Sequence, residues 1–163
     1  MTAPILEARS LSKSFGAVVA ATDVSIDVPQ GQRVSLIGSN GAGKTTFVNM
    51  VTGYLKPDAG SIVLDGRQID GLGPRRIARL GVARSFQIPQ LALEMSALDN
   101  MLVAAACNDG ELSFWRPARS PARRERAMAL LERFQLAEHA QRRAAELPGG
   151  VRKLLDIAMA LTG

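Results

Sequence analysis

Apolar and polar residues alternate through Val24-Ser25-Ile26-Asp27-Val28, a period of two that predicts a half-buried strand. Ile5 to Ser10 predicts an earlier strand, and Lys13-Ser14-Phe15-Gly16 between them reads as a turn carrying an aromatic. Pro29-Gln30-Gly31-Gln32 is a tight turn. Arg33-Val34-Ser35-Leu36-Ile37 follows as a short, buried strand, and Thr46 to Val51 as a helix. Lys56-Pro57-Asp58-Ala59-Gly60 turns the chain into a strand, Ser61-Ile62-Val63-Leu64, ended by Asp65-Gly66. Pro74 opens a short helix through Arg79, Gly81 ends it, and Val82-Ala83-Arg84-Ser85 is a brief strand leading to Phe86-Gln87.

Further on, the period changes to that of a helix. Ser96 and Asp99 resemble a capping box, and Leu98, Met101, Leu102 and Ala105 recur at spacings of three and four. Residues 108 to 118 read as a loop. Ser120-Pro121 begins the next helix, with Ala127, Leu130, Leu131 and Phe134 on one face. A shorter helix is expected near Ala137 to Glu146, a break at Leu147-Pro148-Gly149-Gly150, and a last helix from Val151 to Leu161. This α/β order divides into a β-rich part (1–96), a helical subdomain (97–146) and a final helix with the turn before it (147–163).

Composition narrows the class. With 163 residues, 47% of them hydrophobic, the chain can bury a core. Its longest apolar run, Met101 to Cys107, is too short to span a bilayer, and residues 1–20 lack the basic start and apolar centre of a secretion signal. A cytoplasmic location is expected. Lone Cys107 cannot form an internal disulfide and is expected as a small buried apolar group. The net charge of +5 equals the balance of residues 116–143, which hold eight Arg and three Glu. Such a stretch is either a solvated helix face or a surface for an acidic partner. No aromatics interleave with the arginines from 119 to 133, which argues against a platform for single-stranded nucleic acid.

Candidate chemistry concentrates at Gly38-Ser39-Asn40-Gly41-Ala42-Gly43-Lys44-Thr45, which fits G-x-x-x-x-G-K-[ST]. Glycines without Cβ let the backbone close on an anion, and successive N–H groups form a nest for phosphate. Lys44 supplies a compact charge, and Thr45 offers a hydroxyl to Mg²⁺, which needs few protein ligands. The expected helix points its positive end at the same phosphates.

With the loop, Gln87 and the glycine pair Gly149-Gly150 in this order, the chain resembles the ATP-binding subunits of ABC transporters from Leu6 to Leu161. The stretches 81–90 and Met95-Ser96-Ala97-Leu98-Asp99-Asn100 resemble the branch that imports branched-chain amino acids. The resemblance implies a P-loop NTPase core with an N-terminal antiparallel β region and an inserted helical subdomain. It implies ATP held by Phe15, which stacks on adenine, and by residues 38–46 (Thr46 included), with Mg²⁺ at Thr45 and Gln87. On its residues alone, Phe15 reads as a core or hairpin aromatic. Leu147-Pro148-Gly149-Gly150-Val151 is placed like the family's LSGGQ signature, which clamps the nucleotide of a second, head-to-tail subunit. On its residues alone it is a Pro-Gly-Gly turn. Pro148 has neither hydroxyl nor N–H, and Val151 lacks the usual amide, so a weaker clamp is expected.

The family continues from the last helix into an apolar strand ending in Asp, a catalytic Glu and a switch His. These are not met before Gly163, so the core is expected to be incomplete and truncated, binding ATP with little hydrolysis. Asp156 is expected as a helix residue and His139 as an exposed one. Implied partners are a second ATP-binding subunit, like or unlike, and membrane permease subunits, with the chain peripheral on the cytoplasmic face of the inner membrane; no nucleic acid is expected. Rival readings are a P-loop kinase or GTPase, an ABC-type protein acting on nucleic acid or ribosomes, and a non-catalytic remnant.

Overall fold

Two long strands, β1 (Pro4–Phe15) and β2 (Val18–Pro29), form a hairpin around which the first part of the chain is built. The computed structural model describes residues 3–85, 90–108 and 120–162. It divides into two compact units, Met1–Ile77 and Ala78–Gly163.

In the first unit, α1 (Lys44–Val51), β3 (Ala59–Leu64), β4 (Arg67–Gln68) and α2 (Pro74–Ala78) follow the hairpin. The strands form one antiparallel sheet in the order β2-β1-β3-β4. Lys13, Ser14 and Phe15 belong to β1 rather than to a turn. Phe15 pairs with Val18, and the reversal is confined to Gly16 and Ala17, with Gly16 at φ 59° supplying the left-handed step. Close packing of β3 on β1 requires Gly60. A Cβ there would lie 2.4 Å from the Arg9 carbonyl oxygen and 2.5 Å from that of Ser10. Ala8, Leu11, Met50, Ile62, Ile69 and Ile77 fill this unit's interior.

The expected strand Arg33–Ile37 is absent. Its residues have no strand assignment and are exposed, Ile37 to 90%. A strand exists only where a neighbour completes its hydrogen bonds. Among the described residues the four strands pair with one another, and none lies beside residues 33–37. Val82–Ser85 is likewise not a strand.

The second unit packs α3 (Ala97–Asn108), α4 (Pro121–Arg133) and α5 (Gly149–Ala160) around Leu98, Met101, Leu102, Leu131, Leu147 and Leu155. The Ser96 hydroxyl accepts from the Asp99 N–H and donates to Asp99 Oδ2, so Ser96 caps α3, with Asp99 bonded to the hydroxyl itself. Cys107 is exposed, contrary to expectation, because α3 buries 98, 101, 102, 105 and 106, and position 107 falls on the other side. Ser120 caps α4 by accepting from the Arg123 N–H. Ser120→Ala is expected to cost about 1 kcal/mol of stability, read as an earlier urea midpoint for this unit. Along α4, Arg123 is buried while Arg124 and Arg126 are exposed, so the arginine stretch is not one uniform solvated face.

No helix spans Ala137 to Glu146. Two short 3-10 turns, Ala137–His139 and Ala144–Glu146, stand in its place. The backbone there is committed elsewhere. Carbonyls of Ala140 and Arg142 accept from Leu98 and Ala97, while the N–H groups of Ala144 and Ala145 donate to Met95 and Leu93. These bonds satisfy the first amides of α3 and interrupt the i to i−4 ladder that a continuous helix needs. His139 is correspondingly not an exposed helix residue. Its side chain is 16% exposed and lies in the first 3-10 turn.

Asn100 closes the same region. Its side chain, 2% exposed, accepts from the Ala92 N–H at 2.8 Å and donates to the carbonyls of Ala92 at 3.1 Å and Ser96 at 2.9 Å. Its amide thus ties the 92–96 loop to α3.

Candidate nucleotide site

Residues 38 to 43 wind back on themselves before entering α1. Gly41 (φ 85°) and Gly43 (φ 77°) adopt left-handed angles, and Gly43 is the residue that caps α1. The Ala42 N–H donates to the Ser39 carbonyl at 3.2 Å, and the Phe47 N–H to that of Gly43 at 2.9 Å. Gly43 also has no room for a side chain. A Cβ would come within 2.3 Å of the Ala20 carbonyl oxygen on β2. Lys44 reaches back over the loop, its ammonium 2.6 Å from the carbonyl oxygens of both Gly38 and Ser39. Thr45 is exposed in the first turn of α1, and Thr46 is half-buried.

The loop forms one wall of a concavity of about 350 Å³. The opposite wall is Val19, Ala20, Ala21 and Thr22 of β2, with Gly41, Gly43 and Lys44 across from them. Sequence reasoning missed this β2 wall, because nothing in its spacing marks it. Only the need for a glycine opposite Ala20 hints at the approach. None of the lining residues is acidic. The residues fit a phosphate chain: a left-handed glycine pair, a helix start and a lysine converge on one side of the concavity.

Phe15 ends β1 and is 51% exposed, so it is not a core aromatic. The Lys13 ammonium stands 5.8 Å from the centre of its ring. Lys13 in turn donates to Asp58 Oδ1 at 2.5 Å, and the Ser14 N–H to Asp58 Oδ2 at 2.8 Å. The Lys13 hydrogen bond, and then the Ser14 amide, hold the Asp58 carboxyl below its ordinary pKa.

In the second unit, α5 starts at Gly149 rather than Val151. Pro148 is its cap residue and makes no side-chain cap bond. Gly149, Gly150 and Val151 therefore form the first turn, whose N–H groups have no intrahelical partner. Gly149 and Gly150 are exposed, with open space where a Cβ would stand. Leu147 is buried and anchors the turn. Arg152 holds the approach, donating to the carbonyls of Leu147 at 2.8 Å and Ala145 at 2.7 Å. Asp156 lies within α5, as expected, accepting from the Ser85 hydroxyl at 2.8 Å. Gln87 lies outside the described residues. Among the described residues no group of three His, Cys, Asp or Glu is placed to hold a metal.

The sequence profile of the ABC transporter family matches residues 21–163, from the middle of β2 through the phosphate loop and all three long helices. The chain belongs to that family. Among its members, the high-affinity branched-chain amino acid transport ATP-binding protein LivG of Salmonella typhimurium is 41% identical over 97% of this chain and 65% of its own length. The corresponding BraF protein of Pseudomonas aeruginosa is 43% identical over the same shares. This chain thus spans 65% of the length of these curated relatives. The crystal structure of the ADP conformation of an ATP-binding cassette of an ABC transporter matches with a TM-score of 0.88 and 35% identity, over 99% of this chain and 65% of that one. A nucleotide-free cassette matches with a TM-score of 0.85 and 33% identity, over 98% of this chain and 65% of that one. The fold is therefore that of an ABC ATPase cassette, a P-loop NTPase, as the motif order implied.

Proposed function

We propose that this chain is the nucleotide-binding part of an ATP-binding subunit that powers import of branched-chain amino acids. The observation that carries the reading is the loop from Gly38 to Lys44, folded onto the start of α1 beside a concavity. The solute class rests on the names of the relatives. In this reading, loop N–H groups and Lys44 hold the phosphates and Phe15 stacks on the base. Thr45, with Gln87, contributes to Mg²⁺. Leu147–Val151 present the N–H groups of α5 to a nucleotide on a second ATP-binding subunit, and permease subunits at the cytoplasmic face of the membrane complete the assembly. Residues 1–96, 97–146 and 147–163 then act as nucleotide core, helical subdomain and trans-contact element.

Phosphoryl transfer needs positioning and charge stabilisation, with a group to orient the attacking water. No carboxylate lines the concavity among the described residues, so this chain alone is expected to bind ATP with little turnover. Equilibrium titration with ATP and Mg²⁺ tests the proposal. Lys44→Ala is expected to weaken binding about tenfold or more, as loss of a charge-assisted contact implies. Equal affinity in the wild type and the variant would refute the phosphate-loop assignment.

A further inference from the structure

The turn between α1 and β3 holds a residue that the nucleotide chemistry leaves unused. Asp58 touches three successive residues of β1. Its backbone N–H donates to the Ser12 carbonyl at 2.9 Å, and its carboxylate takes the Lys13 ammonium and the Ser14 N–H. The location explains the contacts. β3 begins at Ala59, which pairs with Ser12, so beyond Ser12 one side of β1 has no strand beside it. There the Asp58 carboxylate stands where a neighbouring strand's carbonyls would be. β1 nevertheless runs on to Phe15, whose partner on the other side is Val18 at the hairpin tip. Strand ends paired on one side only tend to fray.

We propose that Asp58 is a positioning residue for the aromatic arm, fixing Phe15 for stacking on a nucleotide base through Lys13 and Ser14. The two contacts act differently. The Ser14 amide sets the course of the backbone one residue before Phe15. Lys13 and Phe15, two apart on a strand, share a face, and the lysine held by Asp58 stands against the ring. Only 15% of the Lys13 side chain is exposed although its partner carboxylate is 50% exposed, so the lysine is laid down along the strand. Asp58 also belongs to the chain that leaves α1, the helix that starts at the phosphate loop. It therefore references the base-contacting arm to the phosphate-contacting loop within one unit. The inference rests on the proposed nucleotide site.

Two ligands separate the roles: ATP, and inorganic tripolyphosphate, which offers phosphates without a base. Asp58→Ala in this chain is expected to weaken ATP binding about 3- to 10-fold, a part of what one stacked base contributes, and tripolyphosphate binding less than about 2-fold. In a Phe15→Ala background, Asp58→Ala is expected to add less than about 2-fold to the ATP loss. Asp58→Asn keeps an acceptor for the Ser14 amide, should fall between, and serves if the alanine variant does not fold. Equal losses on both ligands, or an undiminished effect without Phe15, would overturn the positioning role. Phe15→Ala with unchanged ATP affinity would overturn the Phe15 assignment and this proposal with it, while leaving the phosphate loop standing. If neither ligand binds the wild-type chain, the nucleotide reading itself fails.

Discussion

Gly43→Ala is expected to reduce ATP affinity about 30-fold or more, even with the whole phosphate-loop sequence otherwise intact. Two independent costs combine. At φ 77° an alanine is held in the left-handed region, which costs about 1–2 kcal/mol. Its Cβ would also meet the Ala20 carbonyl oxygen of β2 at 2.3 Å, a backbone atom rather than the end of a flexible side chain. The loop must then leave β2, and the walls of the concavity separate. Gly41→Ala is the control, since Gly41 has the same class of angle (φ 85°) but open space around it. That variant is expected to bear only the torsional cost. Calorimetric titration of both variants decides the matter, and identical losses would show that the approach to Ala20 is unimportant.

The largest loss of stability in the helical unit is expected from Asn100→Ala, about 2–4 kcal/mol. The substitution removes all the bonds of the Asn100 side chain to the 92–96 loop, and leaves the Ala92 N–H without its acceptor. Asn100 is 2% exposed, so its bonds are made away from water, and losing them costs more than losing an exposed bond. Urea unfolding followed by circular dichroism measures the change. Asn100→Asp keeps the acceptor for Ala92 but loses the donors and buries a charge, so it should not rescue the fold. A shift below about 1 kcal/mol for the alanine variant would mean that water replaces these bonds.

The contrast between Asn100 and Ser96 shows what a sequence can reveal. Ser96 and Asp99 form a local pattern, three residues apart, and the cap of α3 follows from it. Asn100 and Ala92 are bonded through a loop shape that no period encodes. The phosphate loop was legible because its chemistry constrains residue types at fixed spacing. Its opposite wall on β2 was not, since small apolar residues there serve a strand and a pocket alike. Arg33–Ile37 misled for a related reason: composition records the tendency to pair, while the pairing needs a second strand alongside. Ala137–Glu146 failed differently. Its alanines and glutamates favour a helix, but tertiary hydrogen bonds to residues 93–98 took the backbone groups first. Asp58 was visible only as a turn residue, because its partners are some 44 positions earlier in the chain.

The posture of Lys44 bears on how its removal should be understood. An ammonium has three N–H donors, and the carbonyls of Gly38 and Ser39 engage two of them. The lysine is thus a clasp across its own loop as well as a charge. Deleting it enlarges the set of shapes the loop samples, each of which must be given up again when an anion is held. Any affinity lost by Lys44→Ala is consequently a sum of an electrostatic part and an entropic part. Ionic strength separates them, since screening weakens the first and leaves the second in place.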